Sequence, residues 1–352
     1  VQAELLDYQN TGKSILESSH RSPEFDAILS RAEERLQRLL GFSSDYKVLW
    51  LQGGASHQFA MVPLNLLPPD GCGGYVLTGV WSEKALAEAK RVGRATIVAS
   101  SQGTRFDRIP SPNTWEDTRG MAYVHITSNN TIYGTQFPSL DIDVGAPLIA
   151  DVSSDFLARP FSVDRFALLY AGAQKNLGPA GVTVVIARRD VLEPKRPDIP
   201  VILQYATHAK GGSVYNTPPV FAIYVSELVL EWLEQQGGLA ALDKVNTAKA
   251  AAVYAAIDAY PHVYQGHAVP EARSKMNATW RLPSADAEEA FAKGAEERDL
   301  IGLLGHRSVG GMRASLYNAV SLESCELLAS YMRAFAQSWQ GPTFPLTQSS
   351  PA

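Results

Sequence analysis

Cysteine is almost missing from this chain: of 352 residues only Cys72 and Cys325 are cysteines, and neither lies in a CxxC pattern. Two thiols cannot build a disulfide framework, and without CxxC pairs there is no zinc or dithiol redox chemistry to read. No metal site is expected, and a reducing, cytoplasmic setting fits. Positive charge is also short, with 31 Lys and Arg against 36 Asp and Glu and a formal net charge of -5. The molecule lacks the global basic field that holds a nucleic-acid backbone or an anionic membrane, so neither partner is expected. No apolar run reaches the roughly 20 residues needed to span a bilayer. The opening VQAELLDYQNTGKS lacks the charged-then-apolar plan of a secretory leader; a leader removed ahead of Val1 would leave no mark here. No internal repeat is present.

What is there belongs to an ordinary globular chain, 45% hydrophobic and 19% charged, long enough for about two domains. Ser22 followed by Pro23 opens a helical pattern with apolar residues at Phe25, Ile28, Leu29, Ala32, Leu36 and Leu39, closed by Gly41. Short apolar runs then alternate with helical patterns: KVLWLQ (47–52), YVLTG (75–79), MAYVHIT (121–127), PLIAD (147–151), FALLYAG (166–172) and GVTVVIA (181–187). Runs without alternation suit strands covered on both faces, which predicts α/β architecture with a mainly parallel sheet between helices. Helical stretches at about 221–260, 286–300 and 322–339, with strand-like MNATWRL (276–282) and MRASLYN (312–318), predict a smaller α+β domain. The expected boundaries are 1–242 for the large domain, with its first residues able to pack on the small one, 243–340 for the small domain, and 341–352 for a flexible tail.

Ligands of open α/β sheets sit beyond the carboxyl ends of the strands, so the turns after the strands are where chemistry belongs. In LQGGASHQF, Gly53 and Gly54 lead into a helix from about Ala55 or Ser56, either a phosphate cradle or a plain tight turn. In TGVWSEKA, Trp81 is a core residue or a platform for an aromatic ring, ahead of a helix that Ser82 could cap. Asn129, Asn130 and Thr131 are turn formers or hydrogen-bonding groups. Asp151 ends an apolar strand, a costly place for a carboxylate unless a cation meets it; Ser153 and Ser154 cannot neutralise it. Lys175, in YAGAQKNLGPAG, follows the next strand, and a desolvated lysine is a carbonyl nucleophile able to form a Schiff base. A phosphate cradle, an aromatic platform, a carboxylate for a ring nitrogen and a lysine for an aldehyde are together what pyridoxal 5'-phosphate requires.

The segments SHR, GGASHQF, TIYGTQF, ADVSSDF, YAGAQKNLGPAG, YNTPP and GHRSVGGMRASLYNA resemble those of the phosphoserine aminotransferases, class V members of the fold-type-I pyridoxal-phosphate enzymes. The resemblance runs from LLDYQ to the last helix, and YAGAQKN with GHRSVGGMRAS carries it most specifically. It implies that Lys175 holds the cofactor aldehyde and later shuttles the Cα proton, that Asp151 pairs with the pyridinium nitrogen, and that Trp81 stacks on the ring. Thr131 is implied to bond the ring hydroxyl, and Ala55, Ser56, Ser153 and Gln174 to hold the cofactor phosphate.

Asn216 and Thr217 are implied to reach the phosphate of a neighbouring subunit, hence a homodimer; alternatively Thr217 is an N-cap ahead of Pro218. Arg313 is implied to fork onto the substrate α-carboxylate, with His20, Arg21, His306 and Arg307 around a substrate phosphate. The implied reaction moves the amino group of L-glutamate onto 3-phosphohydroxypyruvate, giving O-phospho-L-serine and 2-oxoglutarate in serine biosynthesis; some bacterial members also use 4-phosphohydroxythreonine. Another class V aminotransferase, of the alanine- or serine-glyoxylate type, would have no use for the His-Arg pairs. A cysteine desulfurase would need a cysteine on a mobile loop, whereas Cys325 lies in a helical pattern and Cys72 in an early turn. A protein that only binds the cofactor or a nucleotide would need neither Lys175 nor Arg313.

Overall fold

The computed structural model describes residues 1–196 and 198–345. Its helices are α1 (Pro23–Leu40), α2 (Gly54–Leu66), α3 (Val80–Val92), α4 (Tyr205–Lys210), α5 (Val220–Gln235), α6 (Gly238–Ala259), α7 (Ala285–Glu296) and α8 (Leu322–Ser338). Its strands are β1 (Tyr46–Leu51), β2 (Cys72–Leu77), β3 (Arg94–Ser100), β4 (Tyr123–Thr127), β5 (Asn129–Asn130), β6 (Thr135–Gln136), β7 (Leu148–Asp151), β8 (Leu168–Gly172), β9 (Thr183–Arg188), β10 (Gln265–Gly266), β11 (Asn277–Arg281) and β12 (Met312–Ser315). The chain divides into two compact units. One comprises Val1–Ser100, Pro110–Ser128 and Ser139–Leu242; the other comprises Ser101–Ile109, Asn129–Pro138 and the chain from Asp243 on. The division falls inside α6, and the second unit takes in two short segments that lie within residues 1–242.

The first unit is built on a seven-stranded sheet in the order β1-β9-β8-β7-β4-β2-β3. Neighbours from β8 through β3 are parallel, and β9 runs antiparallel to both β1 and β8. Every residue of β4, β7 and β8 is buried, which is why these strands read as mainly apolar runs without alternation. Strand β3 escapes such a reading: it lies at the sheet edge and buries only Val98 fully, so RATIVAS shows no apolar run. Cys72 opens β2 rather than sitting in a turn.

Helix α1 begins as its sequence predicts, with the Ser22 hydroxyl accepting the Phe25 N–H at 3.3 Å and Gly41 closing it at a φ of 69°. It buries Phe25, Ile28, Ala32, Leu36 and Leu40; Leu40 takes the place expected of Leu39, and Leu29 is half-buried. The predicted helical stretch at 221–260 is two helices, broken where Gly237 and Gly238 turn left-handed at φ 90° and 75°. The first residues pack within this unit, where Tyr224 donates to the Glu4 carboxylate and Arg31 donates to the Tyr8 hydroxyl at 3.4 Å.

The second unit packs α7 and α8 against an antiparallel sheet, β10-β11-β12, around Trp280, Phe291, Tyr331 and Met332. The small hairpin β5-β6 belongs here; the Asn129 amide donates to the Asn277 side-chain oxygen at 2.9 Å. Residues 341–345 of the expected flexible tail are tied down, since Phe344 N–H donates to His262 O at 2.8 Å and Trp339 Nε1 donates to Pro342 O at 2.9 Å. Residues 346–352 of that tail lie outside the described residues. Among the described residues no helix is long and apolar enough to cross a membrane.

Candidate active site

Strand register brings the chemistry of the first unit to one level. Thr127 of β4 pairs with Asp151 of β7, and Asp151 pairs with Tyr170 of β8, so the turns after these strands open at one end of the sheet. Asp151 is only 5% exposed, which leaves its carboxylate little water. Its Oδ1 accepts the Ser153 N–H at 2.9 Å, and its carbonyl accepts from Ser128 N at 3.0 Å and Ser128 Oγ at 3.1 Å. Burial pushes the carboxyl above its ordinary value, against the opposing pull of Lys175 and of the bonds to Ser153. A buried acid so placed gains most from a cation held against it.

Lys175 stands half-buried in the turn after β8, its ammonium 5.8 Å from the centre of the Trp81 ring. Trp81 is itself half-buried, in the first turn of α3, and Lys84 lies 4.8 Å from the same ring. Ser82 is not the cap its sequence position suggests. It lies buried inside the helix, and its hydroxyl accepts the N–H groups of Thr78 and Gly79 at 3.0 and 3.1 Å and donates to Gly79 O at 2.7 Å. The turn that aims Trp81 is thus locked from within.

Helix α2 starts after Gly53 and Gly54, both left-handed at φ 90° and 66°. No side chain caps it and no acidic residue stands in its first turn, so the amides of Gly54, Ala55 and Ser56 are left for an outside acceptor. Ala55 is half-buried and Ser56 exposed. A β-carbon on Gly54 would meet nothing, whereas one on Gly53 would lie 2.3 Å from His57 Nδ1. Ser153 is buried and its Oγ accepts the Gly172 N–H at 3.1 Å. A β-carbon on Gly172 would come within 2.7 Å of Gln174 Oε1, so only glycine lets that side chain fold back over the strand end.

The exposed Asn216 and Thr217 are tied to the same glycine turn: Asn216 Nδ2 donates to Gln52 Oε1 at 3.2 Å, and Gln52 Nε2 donates to Thr217 O at 3.4 Å. Thr217 is not a helix cap, because α5 begins at Val220 after Pro219. His20 and Arg21 precede α1, His20 half-buried and Arg21 exposed.

Thr131, His306, Arg307 and Arg313 belong to the second unit. Thr131 is buried in the β5-β6 turn, and its carbonyl accepts from Arg313 Nη1 at 3.3 Å. Arg313 projects from β12, half-buried, opposite Thr279 of β11. The GHRSVGG loop before it is folded on itself: Gly305 N–H donates to Gly311 O at 2.7 Å, and His306 Nδ1 lies 2.7 Å from Ser308 Oγ. Arg307 is exposed.

Sequence reasoning missed what supports the first unit's strand ends from below. His125 Nε2 bonds the Tyr170 hydroxyl at 2.8 Å while Tyr75 stacks on the imidazole at 5.2 Å. Burial drives this histidine down to about 3, so it is neutral. An isolated histidine on a buried strand carries no pattern that would have announced the role. Among the described residues no group of three His, Cys, Asp or Glu side chains is placed to hold a metal ion.

The donor set of the first unit, a water-poor carboxyl, an amine, an aromatic face and an open helix start, fits a flat cationic ring that carries an aldehyde and a phosphate. The family model for class-V aminotransferases matches residues 1–328. The phosphoserine aminotransferase of Geobacillus kaustophilus is 55% identical over 338 residues, 95% of this chain and 93% of that protein. The crystal structure of the phosphoserine aminotransferase from Bacillus circulans subsp. alkalophilus is 48% identical, with a TM-score of 0.93 over 96% of this chain and 93% of that one. The pyridoxal-phosphate-bound phosphoserine aminotransferase of Trichomonas vaginalis is 38% identical, with a TM-score of 0.89 and 94% of each chain covered. The chain therefore belongs to the class-V aminotransferases and, within them, to the phosphoserine aminotransferase family.

Proposed function

We propose that this enzyme moves the amino group of L-glutamate onto 3-phosphohydroxypyruvate, and the reverse, with pyridoxal 5'-phosphate as cofactor. The observation that carries the reading is Asp151, buried at a strand end with Lys175 near enough to pull on its titration, in a chain 55% identical to a phosphoserine aminotransferase. When bound, the cofactor supplies an aldehyde that carries the amino group and a ring that draws off electrons.

The residues divide the rest of the work. Asp151 keeps a positive charge on the ring nitrogen, and its burial makes that pairing strong. Trp81 gives the ring a flat, dry face, and Thr131 serves the ring hydroxyl. The amides of Ala55 and Ser56, with Ser153 and Gln174, take the cofactor phosphate. The Lys175 amine removes a proton from the substrate Cα and returns one on the reverse stroke. Arg313 forks onto the substrate α-carboxylate, and His20, Arg21, His306 and Arg307 meet its phosphate, each charge-assisted bond contributing about 1.5–3 kcal/mol.

Assembly into a homodimer is supported by Val201, Ile202 and Tyr215, which are 52%, 43% and 51% exposed although apolar. Tyr215 adjoins Asn216 and Thr217, the pair we assign to a neighbouring subunit's cofactor phosphate. The reducing, cytoplasmic setting rests on Cys72 and Cys325, both free thiols.

The test is an amino-transfer assay with O-phospho-L-serine and 2-oxoglutarate, run beside L-alanine as donor. Glutamate formed from phosphoserine and not from alanine is the expected result. Equal or better use of alanine would overturn the substrate assignment.

A further inference from the structure

A cavity of about 470 Å³ lies wholly within the second unit, and its walls combine aromatic faces with three guanidinium groups. Phe106, Tyr133 and His267 form one wall, with ring centres 5.1 Å apart from Phe106 to Tyr133 and 5.5 Å from Tyr133 to His267. Arg105, Arg281 and Arg313 line the same space.

The three arginines are not equivalent. Arg313 is half-buried and bonded to Thr131 O. Arg281 is committed to shaping the glycine-rich loop: its Nη2 donates to Val309 O, and its Nη1 lies 3.8 Å from Glu288 Oε1. Arg105 is exposed, and its guanidinium makes no hydrogen bond or ion pair among the described residues.

The backbone that presents Arg105 is strained. Arg105 and Phe106 are consecutive non-glycine residues at φ 57° and 61°. They are pinned there by the N–H of Arg105 donating to Gln102 O and that of Phe106 donating to Ser101 O, each at 2.9 Å. His267 Nε2, 3.0 Å from Arg105 O, holds the loop from the cavity side. Burial keeps this imidazole below its ordinary value, with smaller contributions from the charges of Arg105 and Arg281 and against the pull of Asp107. Strain held in place by several bonds at a cavity rim points to a function for the group it displays.

We propose that Arg105 is a capture residue: it draws a small phosphorylated acid into this cavity, where Arg313 takes the carboxylate. The proposal rests on the transaminase reading above. A phosphorylated keto or amino acid carries two or more negative charges, and the whole chain, at -5, repels it. Productive encounter then requires a local cationic funnel, and the exposed, uncommitted Arg105 supplies its outer charge while the half-buried Arg313 ends it. The aromatic wall lowers the local dielectric and strengthens both charges.

The test uses the cofactor-loaded protein with inorganic phosphate as probe, titrated calorimetrically, beside kcat/KM for O-phospho-L-serine over a salt series. Arg105→Asn removes the charge while keeping a residue that tolerates the left-handed backbone. It is expected to weaken phosphate binding about tenfold and to lower kcat/KM by a similar factor, the loss falling on KM, with a flatter dependence on salt. Arg105→Lys should restore most of both. Equal phosphate affinity in the parent and in Arg105→Asn overturns the proposal, as does a loss confined to kcat. If the parent fails to turn over O-phospho-L-serine, the transaminase reading fails instead, and the phosphate titration still decides the role of Arg105.

Discussion

Helices α1 and α2 stand in the same unit and begin in opposite ways. α1 satisfies itself: Ser22 caps it, Pro23 needs no acceptor, Glu24 and Asp26 meet its positive end, and Gly41 N–H donates to Gln37 O at 2.7 Å. α2 has a bare glycine at its cap and no acid in its first turn. The lateral packing differs in the same sense. α1 is strapped to α5 by ion pairs, Arg31 to Glu227 at 3.2 Å, Arg35 to Glu227 and Glu231 at 3.1 Å, and Arg38 to Glu234 at 2.9 Å. On the α2 side the buried polar bonds are neutral, His125 to Tyr170 and Tyr205 to Gln58. A helix whose ends are already paired is structural; one left short of partners at its start is where a ligand completes the fold.

The widest separation between the two regions is expected from Lys175→Ala set against Leu36→Ala. Lys175 is half-buried in a turn, so its loss should leave the melting temperature nearly unchanged while turnover falls about a thousandfold or more. Leu36 is fully buried in α1, and its truncation should cost about 2–5 kcal/mol of stability with the activity of each folded molecule intact. Thermal unfolding and amino-transfer rates on both variants check this. Substantial turnover in Lys175→Ala would sink the assignment of the proton-transferring group.

A finer contrast uses two glycines in the same backbone region. Gly41 after α1 has a φ of +69° and open space around it, so Gly41→Ala should cost about 1–2 kcal/mol and do nothing to cofactor binding. Gly53 before α2 has a φ of +90°, and its β-carbon would lie 2.3 Å from His57 Nδ1, so the turn must move. Gly53→Ala should cost about 1–3 kcal/mol and also weaken pyridoxal-phosphate binding by roughly tenfold, read by titrating the visible absorbance. Equal cofactor affinity in the two variants would remove α2's start from the site.

These contrasts also explain what could be read in advance. Strands β4, β7 and β8 were legible because burial on both faces demands mainly apolar runs without alternation, and Asp151 and Lys175 stood out as polar groups at or shortly after the ends of such runs. Edge strand β3 was not, since one exposed side lets polar residues such as Thr96 and Ser100 in. Ser82 and Thr217 were misplaced as caps because a cap is a matter of backbone angle as well as residue type: α3 and α5 begin after Gly79 and Pro219 instead. Arg105 had no signal at all, because its place in a cavity depends on a left-handed loop that none of its neighbours' side chains encodes locally.

The smallest expected effect separates the two regions by acid. Burial holds His125 at about 3 in the folded chain, against an ordinary value of 6.5. Between those values the unfolded chain binds a proton that the folded chain refuses, so stability falls as pH falls, by about 1.4 kcal/mol per pH unit. Above 6.5 neither state is protonated and the penalty vanishes. Among the ion pairs between α1 and α5, that of the exposed Arg38 with Glu234 responds to salt more than to this pH window. His125→Gln keeps a neutral hydrogen-bonding side chain against the Tyr170 hydroxyl without the titration. It should therefore lose less stability than the parent between about pH 6.5 and pH 5, a gain of about 2 kcal/mol in relative terms, measured by urea unfolding at the two pH values. Parallel decline in parent and variant would mean that the buried imidazole accepts its proton in the folded state, and that the core around His125 and Tyr170 is wetter than its burial implies.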